Sequence, residues 1–257
     1  MMKKRGQVAI FIIVGVLIVA GISIFFLVFS NKSPVVPTQQ GANANSFLSA
    51  CLANKIRENI DNLSMQGGSL NNPLNVSFKF SSETAPETIG YLCYSGGYYS
   101  SCVNQQPMLF PYFENNLKQI SDSEVKNCFN QLVSSLKSQG QVTTSSYDNS
   151  EYTLYDNKLI INIGAEVTAT KTASQEYQNF TVLVPTNMGG ILRVAQNIIN
   201  TVTTTCDFYY ALAQNYPNYN IAKYYDSKDS TVIYSVQDKM TGEELRFATR
   251  GCVIPLI

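Results

Sequence analysis

Six cysteines carry the most reactive side chains in this chain of 257 residues: Cys51, Cys93, Cys102, Cys128, Cys206 and Cys252. No histidine accompanies them. Its absence excludes Ser–His–Asp and Cys–His nucleophilic catalysis and any zinc site built on imidazole. No CxxC pair is present, so a thiolate metal cage lacks its usual spacing, and neither a P-loop nor a dinucleotide fingerprint occurs. A glycosidase needs only two carboxylates, and adjacent pairs exist in Asp226 with Asp229 and Glu243 with Glu244. Their neighbours Lys228, Lys239 and Arg246 mark them instead as solvated hairpin charges. The chemistry left to the cysteines is oxidation. Their number is even, so three disulfides are expected. Six cysteines allow fifteen pairings. The short spacing of Cys93 and Cys102 suggests a locally closed loop, and Cys51 with Cys128 and Cys206 with Cys252 would then staple the remaining elements.

A second chemistry is offered by Asn-x-Ser/Thr, the acceptor sequence for N-linked glycans. It occurs at Asn31, Asn62, Asn75 and Asn179. Asn75 and Asn179 are the better candidates, because Asn62 falls near a helix end and Asn31 close to a membrane segment.

That segment is the start of the chain. Lys3, Lys4 and Arg5 precede an uncharged run from Val8 to Phe29, 22 residues long. As a helix the run reaches roughly 33 Å, enough to span a bilayer core of about 30 Å. It is too long for the apolar part of an ordinary secretory signal, and its end is bulky. The basic residues favour a cytoplasmic N-terminus, with everything after Ser30 outside the cell. All six cysteines and all four sequons then lie on the oxidising side.

The remaining elements follow in order. Residues 1–29 are the basic N-terminus and hydrophobic helix, and residues 30–45, with Pro34 and Pro37, read as a Pro/Asn-rich linker. Residues 46–140 read as a helical, Cys/Tyr-rich subdomain. One helix is expected from an N-cap at Ser46 to Gly67-Gly68, with Leu48, Leu52, Ile56, Ile60 and Leu63 on one face. Another is expected from a capping box at Ser121 and Glu124 to Ser138, after a short helix over 111–120. Between them Tyr91 to Cys102 is a Tyr/Gly loop, fit either for a contact surface or for a closed turn with locally packed tyrosines. Residues 141–257 read as an antiparallel-sheet α+β subdomain. Leu159, Ile161, Ile163, Ala165 and Val167 alternate as a half-buried strand, a helix follows Gly189-Gly190, and Thr231–Val236 and Glu244–Ile254 form a hairpin. The fold class is α+β: a hydrophobic helix followed by a disulfide-bonded extracellular domain of helices and antiparallel strands.

Lys plus Arg and Asp plus Glu both number 18, so no field draws nucleic acid. Charged residues are 14% of the chain, against a usual quarter, and 16 Tyr with many Asn, Ser and Thr fill the surface.

Lys3-Lys4-Arg5-Gly6-Gln7 before an apolar helix resembles the archaeal class III signal of type IV pilin-like proteins. The resemblance implies cleavage between Gly6 and Gln7 by a prepilin peptidase, and a filament core built from the helices. Phe11 stands where many of that family carry Glu. More loosely, Cys51…Gln66-Gly67-Gly68, Glu124…Cys128 and Phe247-Ala248…Gly251-Cys252-Val253 resemble uncharacterised anchored surface proteins of small-genome archaea. The expected function is a structural subunit of an extracellular pilus-like filament or surface assembly, non-enzymatic and without cofactor or metal. Its partners are the membrane and further copies of the chain through the N-terminal helix. The alternative is a single-span anchored adhesin that binds a cell-surface glycan or partner cell. A carboxylate-based hydrolase is the third reading.

Overall fold

The computed structural model describes residues 39–170, 174–226 and 229–253. The apolar run Val8–Phe29, Gly6, Gln7 and Asn31 lie outside them. Among the described residues no helix is long and apolar enough to cross a membrane.

The every-fourth-residue stripe from Leu48 to Leu63 forms α1 (Gln39–Ser64). The helix starts at Gln39, inside the stretch read as linker, and Ser46 is interior to it. Ala44 supplies the reason, since at 5% exposure it extends the buried stripe one turn back from Leu48. Burial of that face outweighs the poor helix propensity of the surrounding Asn and Gly residues.

A single helix, α2 (Leu109–Ser138), replaces the two expected there. Pro111 sits in its first turn, where no intrahelical N–H bond is lost. Ser121 and Glu124 cap nothing. Asn59 of α1 donates to Ser121 Oγ at 2.9 Å and to Glu124 Oε2 at 3.1 Å. The Cys51–Cys128 disulfide joins the same two helices, with Cα atoms 6.0 Å apart. Cys51 pairs far along α2 and Asn59 nearer its start, so the helices run antiparallel.

The alternating segments form a three-stranded antiparallel sheet of β4 (Val142–Tyr155), β5 (Lys158–Thr170) and β6 (Ser174–Pro185). On β5, Leu159, Ile161, Ile163, Ala165 and Val167 are all buried, as their alternation requires. Asp122 of α2 accepts from Tyr147 at 3.1 Å and Ser150 at 2.5 Å, tying the helix to β4.

A second sheet has the order β1 (Asn75–Phe78), β2 (Glu87–Tyr94), β9 (Glu244–Arg250), β8 (Thr231–Asp238), β7 (Tyr219–Asp226), with β3 (Val103–Asn104) also on β2. The β8–β9 hairpin is as expected. Strand β7 has no sequence counterpart, and β2 runs parallel to β9. Residues Asn43–Ile257 form one unit, and its main core runs from Ala44 to Phe247, drawing on both segments either side of residue 140. A smaller cluster of Phe80, Ile89, Tyr91, Ile233 and Ala248 covers the sheet's other face. Arg246 is no solvated hairpin charge. It lies 4.2 Å from the Phe80 ring centroid and pairs with Glu83, Glu87 and Glu244 at 2.6, 2.8 and 2.8 Å.

Between the sheets runs α3 (Met188–Thr205), buried at ten positions and touching β4, β8 and β9. A four-residue turn of helix, α4 (Tyr210–Ala213), follows separately, because Cys206 ends α3 in the left-handed conformation at φ 67°. At the other end Gly189 and Gly190 meet the β4–β5 turn. A Cβ on Gly189 would fall inside the Tyr155 carbonyl, and Gly190 N donates to Asp156 O at 3.2 Å. Because the obstruction is backbone, Gly189→Ala is expected to lower unfolding free energy by about 2–4 kcal/mol in denaturant melts. Thr204→Ala, on the exposed face of α3, should stay within about 0.5 kcal/mol of wild type.

Candidate interaction surface

All three expected cysteine pairings form, and no described cysteine is free. Disulfides persist where cellular reductants do not reach them, so this is the pattern of an extracellular or oxidising-compartment protein. Two of the bridges, Cys93–Cys102 and Cys206–Cys252, meet at one end of the mixed sheet.

Strand register defines that end. Tyr225 pairs with Val232, Val232 with Thr249, and Thr249 with Cys93, making a row across β7, β8, β9 and β2. Beyond the row lie the 95–102 loop, the β7–β8 turn and the segment after β9. Tyr98 bridges to Val253, Tyr99 N donates to Val253 O at 3.0 Å, and Cys252 N donates to Ser100 O at 2.6 Å. The Cys206–Cys252 bond brings in the α3 C-terminus, after which Tyr209 and Tyr210 follow. Tyr98, Tyr99, Tyr209, Tyr210 and Tyr225 are each more than half exposed.

The Tyr/Gly loop packs some of its tyrosines locally and leaves others exposed. Tyr91 and Tyr94 pack edge to face at 5.0 Å, and Tyr91 bonds to buried Thr231 at 2.7 Å, while Tyr98 and Tyr99 face water. Burial pushes the Tyr91 phenol up, and its bond to Thr231 opposes this. The backbone here is also constrained. Tyr99, Cys206, Ser230 and Cys252 all have left-handed φ, and they are four of the five such non-glycine residues described. Such conformations cost about 1–3 kcal/mol each and persist only where the surroundings over-determine them.

Among the described residues, the cations near this end are already committed. Lys223, 2% exposed, pairs with Asp207 at 2.5 Å and lies 5.3 Å from the Tyr210 ring centroid. Arg250 bonds to Asp229 at 3.3 Å and to the Ser95 carbonyl, and it sits over Tyr94. Among the described residues, much of what is presented outward is aromatic and hydroxyl surface on a rigid frame, suited to burying Tyr rings against a partner.

Of the acidic pairs read from sequence, Glu243 and Glu244 do not converge. Glu243 accepts from the Thr186 hydroxyl and, at 2.6 Å, from Asn187 N, so it caps α3, whose own N-cap side chain makes no cap bond. Glu244 turns away to Ser235 at 2.7 Å and Arg246. Asp229 is held by Arg250 and by Thr231 N at 3.2 Å. The structure instead places Glu243 beside Asp61 and Arg57 in a cavity of about 310 Å3 that Asn157, Asn187 and Thr241 also line. Burial raises the Asp61 carboxyl, and the Glu243 charge adds to this. Among the described residues no group of His, Cys, Asp and Glu is placed to hold a metal.

Sequence reasoning missed this Tyr-rich end as a unit, although its Tyr/Gly loop and cysteines gave part of the signal. The remaining tyrosines reach it only through strand register. No protein-family model, no curated protein and no solved structure matches the chain.

If Tyr98 and Tyr99 serve contact rather than packing, Tyr98→Ala and Tyr99→Ala should each change stability by no more than about 0.5 kcal/mol in denaturant melts. A second expectation concerns acid. Desolvation would raise the Asp238 carboxyl, but bonds from Thr241 N, Met240 N and Asn187 outweigh it and leave the folded value below the usual one. Its stabilisation is thus present above the unfolded carboxylate range near about 3.9 and is lost as pH falls through the depressed folded value. Asp238→Asn should flatten that acid limb of the stability–pH curve.

Proposed function

We propose that this chain is a structural subunit of an extracellular pilus-like filament or surface assembly. Its hydrophobic N-terminal segment mediates assembly, and the residues from Asn43 onward form the outward-facing head. The observation that supports it most is the Tyr-rich end: five exposed tyrosines on loops, a helical turn and a strand end gathered around two disulfides, with the nearby described cations already paired. Rigid aromatic surface loses little entropy on contact, which suits repeated subunit or partner contacts. The Gly6-Gln7 junction fits removal of the basic leader before assembly. No catalytic role is assigned to any residue.

The second reading is a single-span anchored adhesin whose ectodomain binds a glycan or partner cell. Pro34 and Pro37, between the apolar run and α1, favour it over a helix continuous from membrane to head.

N-terminal sequencing of the native protein, with electron microscopy of the cell surface, separates the two. A mature chain beginning at Gln7 that sediments as filaments is the expected result. An intact Met1 with detergent-soluble monomers would remove the filament and leave the adhesin.

A further inference from the structure

Of the sequons, three fall on described residues, and the fold treats them differently. Asn62 is inside α1, and Ser64, its required hydroxyl partner, is 1% exposed with Oγ donating to the Asp61 carbonyl at 2.9 Å. A transferase approaching the folded chain cannot reach both. Asn75 spends its amide nitrogen, the atom that would accept a sugar, on the Asn72 carbonyl at 2.7 Å.

Asn179 is placed otherwise. It lies on β6, an edge strand, where register breaks: Ile163 pairs with Phe180 and Glu166 with Gln178, leaving Gly164 and Ala165 opposite Asn179 alone. The break continues across the sheet, since Tyr147 pairs with Ala165 and Asn149 with Gly164, leaving Asp148 extra on β4. At this bulge Asn179 adopts φ 53°, a left-handed conformation that asparagine tolerates better than most residues. Its side chain is exposed, and so is Thr181 two residues on, with its hydroxyl 3.1 Å from Asn162 Oδ1. The outer edge of β6 is met by α1 at Thr181, where the backbone N–H donates to Asn45 Oδ1 at 3.3 Å.

We propose that Asn179 is an N-glycan acceptor, modified after the domain has folded, and that the glycan shields the edge of β6 where α1 does not meet it. In the transfer, the Asn179 amide nitrogen attacks the anomeric carbon of a lipid-phosphate-linked oligosaccharide. The new C–N bond forms as the anomeric C–O bond to phosphate breaks. The lipid phosphate leaves with the electron pair, and the amide proton passes to a base of the membrane transferase. An edge strand with unpaired N–H and C=O groups is a template for unwanted pairing, and a bulky hydrophilic group at a bulge blocks it. The proposal rests on export of the chain but not on filament assembly.

Peptide mapping of the native protein under non-reducing conditions tests it, using chemical deglycosylation to reveal the sugar mass. The expected result is a hexose-containing adduct on the Asn179 peptide, an unmodified Asn62 peptide and an intact Cys93–Cys102 link. Bare Asn179 with intact disulfides overturns the acceptor while leaving export standing. Bare Asn179 with free thiols overturns export as well. Asn179→Gly, which keeps the left-handed backbone without strain, should abolish the adduct and leave the melting curve of deglycosylated protein unchanged. Thr181→Val should abolish the adduct with Asn179 still present, and Thr181→Ser should restore it. An adduct that survives Thr181→Val overturns the proposal.

Discussion

The burial of α3 between two sheets is the constraint on which the remaining structure depends. A helix apolar at ten of its positions cannot be left with one face in water, and this one has a sheet on each side. Its buried N-terminal end then has to be satisfied by other parts of the chain, since a buried terminus has no water to bond its free amides. The N-terminus is closed by Glu243 from the β8–β9 turn and by the backbone of the β4–β5 turn pressing on Gly189. The C-terminus is closed by Cys206, left-handed and bonded to Cys252 beyond β9. Both sheets are thereby fixed to one helix.

The same clamp produces the candidate surface. Cys206 must turn the chain sharply where α3 stops, and the disulfide carries that turn to the end of β9. The segment after β9 in turn holds the Tyr98–Ser100 backbone. The aromatic end is thus not a set of loops decorating a finished fold. It is where the helix termination, the parallel β2–β9 pair and two disulfides meet, which is why left-handed backbone collects there.

What could be read in sequence was what local pattern encodes. The α3 face, the β5 alternation, the β8–β9 hairpin and the closed Cys93–Cys102 loop all follow from spacing along a short stretch. The errors came where one residue type serves two physical ends. Ser121 and Glu124 have the spacing of a capping box, yet the same hydroxyl and carboxylate bond equally well to Asn59 of a neighbouring helix. Ala44 looks like a linker residue until a core exists for it to enter. Strand β7 mixes Tyr, Lys and Asn with few aliphatic residues, and its Lys223 side chain is made tolerable in the fold by Asp207 and the rings of Tyr210 and Tyr234 from neighbouring elements. The parallel pairing of β2 with β9 joins segments more than a hundred residues apart, and no local signal carries it.

Three of the cations sit away from solvent. Lys223, Arg246 and Arg250 are all largely shielded, each with a carboxylate and an aromatic ring, whereas the Tyr-rich end presents rings and hydroxyls to solvent. Exposed ion pairs weaken when salt screens them, over a distance of about 8–10 Å at ordinary ionic strength, but shielded pairs are screened far less. Contacts made by desolvating tyrosine rings have almost no Coulomb component to screen at all. Inside, the pairs hold charged groups that would otherwise carry a large desolvation penalty. Around these three cations charge is kept where the medium reaches it least, and the described rings and hydroxyls of the Tyr-rich end are groups on which its ions act least.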